Sequence, residues 1–327
     1  MEPLLRSASP FQAIRASVLV CTYDRCGSLV DTLHALAKQA VREDTAWEIV
    51  VVDNNSRDAT RATVGDFAAT HPGLRVQYVF EGEQGLSHAR NKAISAAQGD
   101  LLLFTDDDVL PASDWVQTMA DVMTQWRCDA CGGYIEPIWE MRPPRWLTER
   151  FYGYLALKTD LDGPRLLGPS EDPPFGANMA FRRDVFQRIG LFDVSLGRKG
   201  SVLAGGEEWD LFCRVVQAGG TVLYAPHARV RHKVEAFRVR KRYFRRWRFQ
   251  ASRSLARRSA PAGERRIAGV PLYLFRQLVD AALKTMRYAV SRPADETFRQ
   301  EIIVWHFLGL IAGARDRSVD LDKNRRP

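Results

Sequence analysis

Cysteine is scarce in this chain of 327 residues, and its distribution is not that of a fold held together by disulfides. The five cysteines are an odd number and are scattered through apolar segments, which argues against a disulfide framework and favours a reducing compartment. Cys128 and Cys131 form one CxxC pair, but without a second pair this spacing is weak evidence for zinc. We therefore expect buried structural thiols.

Long apolar runs are also missing. The best candidate, residues 302–313, is shorter than the roughly 18 residues expected of a transmembrane helix, and it contains His306. The first apolar run, residues 16–21, leads directly into a polar loop and is interpreted as a strand, so no signal peptide is predicted. Internal repeats and low-complexity segments are absent as well. With 46% hydrophobic residues, the chain is long enough to bury a sizeable core.

Charge is present in an ordinary amount but is unevenly distributed. The formal net charge is +8, and 26% of the residues are charged. Residues 229–258 hold 13 Lys or Arg and one acid, Glu235, so this segment carries +12 and leaves −4 for the rest. A mildly acidic body with one strongly basic segment indicates a local interaction surface.

Alternating strand and helix patterns predict an α/β fold. Strands are predicted at residues 17–21, 48–53, 74–80 and 100–105, and helices at 29–41 and 87–97. The continuous apolar run of the second strand is typical of a strand buried on both faces of a parallel sheet. Asn54-Asn55-Ser56 is expected to open the helix that follows it. The pattern implies a doubly wound sheet with ligands at the carboxyl ends of its strands.

The remainder of the chain changes character twice. Residues 111–232 mix short strands, proline-rich loops and helices near 183–189 and 207–217. After His232 the sequence becomes basic and helical, and 272–290 has an amphipathic pattern. We predict three parts, with the bounds 14–110, 111–232 and 233–327, of which the last is a basic, amphipathic helical tail.

Three consecutive carboxylates, Asp106, Asp107 and Asp108, follow the buried-strand pattern of residues 101–105. Their mutual repulsion costs stability unless a positive group lies among them. Mg²⁺ and Mn²⁺ take hard oxygen ligands and are shared with substrate phosphates, so the segment predicts a divalent-cation site. The structural alternative is a solvated acidic turn.

Six segments, in order and spacing, resemble the family 2 glycosyltransferases with the GT-A fold over roughly residues 15–235. They are Thr22-Tyr23-Asp24-Arg25, Val52-Asp53-Asn54-Asn55-Ser56, Gly85 to Asn91 with Arg90, Asp106-Asp107-Asp108, Phe175 to Phe181, and Gly205-Gly206-Glu207-Glu208. Six ordered motifs are far more specific than any one of them. The resemblance implies a Rossmann-like nucleotide-binding sheet with a fused acceptor-binding region and a C-terminal helical tail. It makes residues 14–110 the nucleotide-sugar-binding half and residues 111–232 the acceptor-binding and catalytic half.

The resemblance also implies which residues bind the nucleotide sugar. They are Thr22, Tyr23, Asp24, Asp53, Arg90, Asp106 and Asp107. A carboxylate at Asp53 is a good acceptor for an imide N–H or for ribose hydroxyls, and the forked donors of Arg90 suit a diphosphate. The structural alternatives are a helix cap for Asp53, an ordinary turn for Tyr23 and Asp24, and a surface ion pair for Arg90.

In such enzymes a metal bridges the donor phosphates and stabilises the departing nucleoside diphosphate. The resemblance assigns Asp106 and Asp108 to that metal, with Mn²⁺ or Mg²⁺ as the cofactor, and His232 lies where a third ligand is often found. Which of the aspartates contacts the metal stays open. A structural or solvated role is the alternative for His232.

Glu208 is the predicted general base, taking the proton of the acceptor hydroxyl as that hydroxyl attacks the anomeric carbon. Family members usually carry Glu-Asp where this chain has Glu207-Glu208, so Glu207 stays an alternative base. Attack opposite the leaving group predicts inversion by a single displacement. The structural alternative is a helix start enriched in acids, which the helix dipole alone favours.

Two residues are predicted to contact the acceptor, namely Asn178 and Trp247. Asn178 could bind sugar or belong to a strand that packs under the site. Trp247 closes the segment Tyr243-Phe244-Arg245-Arg246-Trp247, which resembles the QxxRW motif of processive synthases with Tyr243 in place of Gln. Those synthases also have several membrane helices, and none is predicted in this sequence. We therefore expect the transfer of one sugar per encounter and not the synthesis of a polymer.

The combined interpretation is a metal-dependent inverting glycosyltransferase. It is expected to move one sugar from a nucleotide-diphosphate donor to a glycan or lipid-linked acceptor in surface polysaccharide synthesis. We predict a cytoplasmic enzyme bound peripherally to the bacterial inner membrane through its basic tail, with nucleic acid not expected as a partner. The structural alternatives for the tail are a solvated helix whose arginines pair with the acidic body and helices that pack on the catalytic domain. The alternatives are a sugar nucleotidyltransferase and a non-catalytic basic adaptor for nucleic acid or membrane.

Overall fold

A computed structural model describes residues 16–169, 171–200, 205–259 and 265–323. These residues form two compact units. The first contains residues 16–136, 158–194 and 207–232, and the second contains the described parts of 137–157, 195–206 and 233–323. In the described part of the chain, none of the helices combines the length and apolarity needed to span a bilayer.

The strands are numbered in chain order. They are β1 Ala16–Thr22, β2 Trp47–Asp53, β3 Val76–Phe80, β4 Leu101–Asp106, β5 Val109–Pro111, β6 Ala130–Trp139, β7 Arg165–Leu166, β8 Met179–Arg182, β9 Val222–Val234, β10 Arg266–Ile267 and β11 Val270–Pro271. Among the described residues, the first nine form one sheet and the last two form a small antiparallel ribbon.

The helices alternate with the first strands and dominate the second unit. They are α1 Cys26–Ala37, α2 Thr60–Thr70, α3 Leu86–Ala96, α4 Trp115–Trp126, α5 Arg183–Ile189, α6 Glu207–Gln217, α7 Lys241–Arg258, α8 Leu272–Ser291 and α9 Ala294–Lys323, with a 3₁₀ helix at Glu149–Leu155.

The large sheet has the order β3-β2-β1-β4-β8-β6-β9-β5, with β7 paired to β9. The four strands at one side are parallel, as the buried apolar runs predict. Their register aligns Thr22 of β1 with Asp53 of β2, and Cys21 of β1 with Asp106 of β4. The polar residues that end three strands therefore lie along one edge of the sheet. The predicted halves 14–110 and 111–232 both contribute strands to this sheet.

The core of the first unit contains a cluster of aromatic rings beside β4. Phe104 packs edge-on against Phe181 and Phe192, with ring centroids 6.0 and 5.8 Å apart, and Phe186 packs against all three. Burying four such rings stabilises the fold by an amount on the order of 10 kcal/mol before entropy is counted. The cluster holds α5 and β8 against β4, the strand that ends in the aspartates.

One predicted helix start is wrong. Asn54-Asn55-Ser56 was expected to open a helix, but α2 begins at Thr60. Asp58 Oδ1 accepts hydrogen bonds from the N–H and the hydroxyl of Thr60, at 3.0 and 2.5 Å. The side chain of Asn54 is used elsewhere, because its Oδ1 accepts the N–H of Gly85 at 2.8 Å and its Nδ2 donates to Glu83 O at 2.7 Å. Asn54 thus ties the end of β2 to the start of α3.

The close approach of β6 and β9 requires glycine at position 133. A Cβ added there would collide with Ala228 O and lie 2.7 Å from Asn178 Nδ2. We expect Gly133→Ala to lower the free energy of unfolding by about 1–3 kcal/mol, because neither backbone can move away without breaking sheet hydrogen bonds. Urea unfolding measures this change.

The matched control is Gly65→Ala in α2, where an added Cβ meets no atom within 4 Å. That variant should be more stable by about 0.5–1 kcal/mol, since alanine loses less backbone entropy in a helix. Equal effects of the two substitutions would show that the tight contact at Gly133 does not limit packing.

Candidate active site

The site is built from loops at the carboxyl ends of β1, β2 and β4. The β1 and β2 loops are joined by hydrogen bonds, because Asp24 Oδ1 accepts the N–H of Arg57 at 2.6 Å and Ser56 Oγ accepts the N–H of Asp24 at 3.0 Å. Asp24 itself has a left-handed backbone with φ 51°, which Asp tolerates better than most residues. The ring of Tyr23 beside it is about one-third exposed and presents an aromatic surface.

Asp53 lies at the buried end of β2. Its Oδ1 accepts the N–H of Ser56 at 2.8 Å, and its Oδ2 accepts the hydroxyl of Tyr78 at 2.8 Å. Burial, together with the negative charge of Asp53, raises the pKa of Tyr78 to about 12. The carboxylate of Asp53 therefore orders the β2 loop by capping a turn. One lone pair on each oxygen remains for a ligand donor.

The three aspartates after β4 have different surroundings. Asp106 is partly exposed, while Asp107 and Asp108 are buried. Asp107 Oδ2 accepts the hydroxyl of Thr22 at 2.8 Å. Arg25 Nη1 lies 3.0 Å from Asp108 Oδ2 and 3.5 Å from Asp107 Oδ1. Burial raises the pKa of Asp107 to about 7, opposed by Arg25 and reinforced by Asp108. The positive charge of Arg25 thus offsets part of the repulsion among these carboxylates.

His232 lies next to Asp108 because of strand register. β5 starts directly after the aspartates and pairs antiparallel with β9, which places His232 opposite Val109. As a result His232 Nε2 lies 3.3 Å from Asp108 Oδ1, and both side chains are buried. A carboxylate oxygen and an imidazole nitrogen at this separation fit two donors of a Mn²⁺-type cation.

The predicted metal set of Asp106, Asp108 and His232 is only partly brought together. Asp106 Oδ1 lies 3.9 Å from Arg90 Nη2 instead. Among the described residues, no group of three or more His, Cys, Asp or Glu side chains is arranged to hold a metal. The remaining coordination positions would then fall to phosphate oxygens and water, which Mg²⁺-type ions commonly retain.

A second cluster of charged groups surrounds Arg90. This residue belongs to α3, and its side chain is almost completely buried. Arg90 Nη1 donates to Glu207 Oε1 at 3.1 Å, and Nη2 donates to Glu208 Oε1 at 3.3 Å. The guanidinium also lies over the ring of Phe192, 5.4 Å from its centroid. Burial alone lowers the pKa of Arg90, but Glu208, Glu207 and Asp106 together raise it, so Arg90 stays charged.

Glu207 and Glu208 differ in exposure and in pKa. Burial, followed by the charge of Glu208, raises the pKa of Glu207 to about 8. Burial also disfavours ionisation of Glu208. Arg90, a hydrogen bond from Glu207 and the N–H of Gly176 at 3.2 Å outweigh that effect and lower its pKa. The side chain of Glu208 is 22% exposed against 3% for Glu207. Glu207 is therefore the carboxyl of the pair that holds its proton more strongly, and Glu208 is the more acidic and the more accessible one.

Asn178 has the geometry of the structural alternative. Its side chain is fully buried, its Oδ1 accepts the Nε1–H of Trp115 at 2.8 Å, and its Nδ2 donates to Ala228 O at 2.8 Å and to Tyr134 O at 3.0 Å. All polar atoms of its amide are therefore used inside the protein. The predicted contact of Asn178 with the acceptor sugar is corrected to a structural role. Asn178 ties the strands under the site together.

Trp247 belongs to the second unit and is carried by α7. Its ring packs edge-on against that of Tyr154, with the centroids 4.9 Å apart. This contact occupies one side of a ring that stays partly exposed. The acceptor role of Trp247 stays a prediction.

Sequence reasoning missed two contributors. Arg25 stood inside the first motif but was given no role, although a lone Arg one residue after an Asp in a strand-end loop suggests a partner for acidic neighbours. Gly176 lies in the segment Phe175 to Phe181 but was given no role of its own. Its N–H holds Glu208, and a Cβ there would collide with Arg90 Nη2. No sequence signal separates this glycine from its neighbours, because its role depends on contacts from α3 and α6.

Comparison with known proteins identifies the class that this fold and these clusters define. The sequence profile described as glycosyl transferase family 2 matches residues 17–190, more than half of the chain. The glucosyl-dolichyl phosphate glucuronosyltransferase of Haloferax volcanii is 29% identical over 232 residues, covering 69% of this chain and 71% of that protein. The succinoglycan biosynthesis protein ExoM of Rhizobium meliloti is 28% identical over 249 residues, covering 76% of each chain.

A solved structure shows the same fold. The mannosyltransferase PcManGT from Pyrobaculum calidifontis, in complex with GDP-Man and Mn²⁺, matches with a TM-score of 0.59 at 21% identity, covering 98% of this chain and 91% of that one. The chain belongs to glycosyl transferase family 2. It is a glycosyltransferase with the GT-A type of fold, which confirms the predicted family, fold class and enzyme class.

The raised pKa of Glu207 makes a prediction about pH. The carboxyl ionises near pH 4.5 in the unfolded chain and near pH 8 in the folded protein, so the unfolded state holds fewer protons between these values. The free energy of unfolding should therefore fall as the pH rises through this window, and Glu207→Gln should remove that part of the fall, on the order of a few kcal/mol. Urea unfolding at a series of pH values measures the slope.

Glu43→Gln is the control, because Glu43 is exposed. It should leave the pH slope as it is in the unmodified protein. A Glu207→Gln variant that keeps the full slope would show that Glu207 is ionised in the folded state.

Proposed function

We propose that this enzyme transfers one sugar from a nucleoside-diphosphate sugar to a hydroxyl of a glycan or lipid-linked glycan, with inversion and with a divalent cation. The observation that carries the proposal is the pairing of Glu207 and Glu208 with Arg90, beside the aspartates that end β4. This pairing keeps one accessible carboxylate ionised at the sheet edge where α/β proteins bind ligands.

The donor is proposed to lie along the carboxyl edge of the parallel strands. Asp53 accepts hydrogen bonds from the base or ribose, and the ring of Tyr23 with Thr22 and Asp24 lines the same pocket. Asp106 and Asp107 lie on the sugar-phosphate side. Arg90 is the proposed contact to the diphosphate, and the neighbouring carboxylates hold its guanidinium in position.

Asp108 and His232 are the residues that would hold the cation, proposed to be Mn²⁺ or Mg²⁺. Their separation of 3.3 Å and their oxygen and nitrogen donors support this choice, and PcManGT was solved with Mn²⁺. When bound, such a cation supplies positive charge that stabilises the departing nucleoside diphosphate. Arg25 lies within 3.5 Å of both buried aspartates and would give up part of this contact to the cation.

Glu208 is the proposed general base. Its carboxylate accepts the proton of the acceptor hydroxyl while that oxygen bonds to the anomeric carbon, and the bond to the diphosphate breaks on the opposite face. Gly176 N–H and Arg90 fix the orientation of the carboxylate. Glu207 is protonated and donates toward Glu208, which makes it a positioning residue.

The setting of the reaction is also a proposal. The named relatives are a glucosyl-dolichyl phosphate glucuronosyltransferase and a succinoglycan biosynthesis protein. These names support a lipid-linked glycan as the acceptor and surface polysaccharide synthesis as the process. An enzyme of this kind would work peripherally at the cytoplasmic face of a bacterial inner membrane.

Thermal stabilisation by a panel of nucleoside diphosphates and nucleotide sugars, with and without Mn²⁺, tests the donor and the cation together. Saturating binding to the folded state adds about 2.7 kcal/mol at 100 times Kd. A shift that needs both one nucleotide and the metal supports the proposal and names the base. A shift with RNA and none with any nucleotide would favour the basic adaptor.

Glu208→Gln is expected to lower kcat by about 10²–10⁴-fold while donor affinity stays within a few-fold, because the amide keeps the contacts but accepts no proton. Single-turnover transfer and donor titration measure the two quantities. Asp210→Asn on the same helix, which loses only an ion pair with Arg214, should keep normal turnover. Full activity of Glu208→Gln would sink the assignment of the base.

Asp108→Asn should abolish the metal-dependent part of nucleoside-diphosphate binding, since an amide oxygen carries no charge for the cation. The thermal shift with and without Mn²⁺ reports this loss directly. Asp121→Asn, at an exposed ion pair with Arg42, serves as the control and should bind like the unmodified protein. Unchanged metal dependence in Asp108→Asn would remove Asp108 from the cation site.

A further inference from the structure

Helix α8 has two apolar faces, and only one of them is covered within the second unit. Leu274 and Ala281 are buried on the face that packs against α9. A second set of six large apolar side chains is exposed, with exposed fractions between 38% and 88%. These residues are Leu272, Phe275, Val279, Leu283, Met286 and Val290. A helix that only packs on its own protein needs a single apolar face.

The exposed set forms one narrow stripe. Its members are spaced three or four residues apart, so at 100° per residue they fall within an arc of about 80°. The stripe runs nearly the whole helix, about 27 Å from Leu272 to Val290. Single exposed apolar residues are ordinary, but a continuous stripe of this length marks a surface that is covered in function.

A basic edge accompanies the stripe. Arg276, Lys284 and Arg287 lie on one side of it with a single acid, Asp280. Within the described residues, neither Arg276 nor Arg287 forms an ion pair with an acid. The sequence from residue 233 onward holds 23 Lys or Arg against nine Asp or Glu, so the whole region is strongly cationic.

We propose that this stripe, Leu272 to Val290 on the outer face of α8, docks on an anionic lipid bilayer. The apolar side chains enter the boundary between headgroups and acyl chains, while the cationic edge meets lipid phosphates. The helix lies in the plane of the membrane, in keeping with the absence of a spanning helix among the described residues. The inference deepens the proposed function, because a lipid-linked acceptor lies at such a surface.

A second copy of the chain fits the stripe less well. A stable dimer buries roughly 800 Å² on each partner. A strip one helix wide and about 27 Å long supplies only a fraction of that area. Two copies would also bring their cationic regions together and repel each other, whereas anionic lipid attracts them.

Vesicle cosedimentation of the full chain tests the proposal. The unmodified protein should bind vesicles of phosphatidylethanolamine and phosphatidylglycerol, and bind phosphatidylcholine vesicles more weakly. The double variant Val279→Gln with Leu283→Gln should bind the anionic vesicles about tenfold or more weakly. Both positions are 56% exposed and Gln favours helix, so folding should be unaffected.

Two matched variants separate the causes. Leu161→Gln with Val194→Gln changes two exposed apolar residues of the first unit and should leave vesicle binding unchanged. Arg276→Gln with Arg287→Gln should remove most of the preference for anionic over neutral vesicles. Equal binding by the Val279→Gln/Leu283→Gln variant and the unmodified protein overturns the proposal. So does a concentration-dependent dimer that this variant dissolves, which would assign the stripe to contact between copies.

Metal-dependent hydrolysis of the nucleotide sugar, measured without vesicles, keeps the docking and the proposed function apart. Activity without vesicle binding means that the docking proposal fails while the function stands. Vesicle binding without any hydrolysis or transfer means the reverse. The Val279→Gln/Leu283→Gln variant should hydrolyse the donor at the same rate as the unmodified protein.

Discussion

A single buried guanidinium, that of Arg90, holds the arrangement of carboxylates on which the site depends. It contacts Glu207 and Glu208 from α6 and lies near Asp106 at the end of β4. Without it these three carboxylates, of which Glu207 is fully buried, would repel one another. Burial, followed by the charge of Glu208, raises the pKa of Glu207, while Arg90 helps to lower the pKa of Glu208. The different acidities of the two glutamates thus follow from their burial and from the single cation that they share.

The sheet determines which groups meet at this place. Parallel register brings the ends of β1, β2 and β4 to one edge, and the short strand β5 then pairs with β9 and carries His232 to Asp108. Beneath them Asn178 joins α4, β6 and β9 through hydrogen bonds from and to its amide. The chemistry therefore lies in short loops, while rigid strands and a saturated polar core fix where those loops begin.

The sequence was sufficient for the fold class, the family and the edge of the sheet at which the motifs collect, because each of these follows from local patterns along the chain. It was insufficient wherever a residue's role depends on distant partners. Asn178 could not be assigned from sequence, since Trp115 and Ala228 that saturate its amide lie 63 and 50 residues away. The start of α2 was predicted wrongly because the side chain of Asn54 accepts the N–H of Gly85, directly before α3, and does not cap α2.

Gly176 has a consequence for how this chain can vary. Arg90 and Glu208 both lie against its backbone, in the space that any side chain would fill. A substitution at this position therefore requires a shorter or displaced side chain at position 90 or 208. We expect substitutions at these three positions to be coupled. Gly176 has no reactive group, yet its lack of a side chain limits which residues can occupy positions 90 and 208.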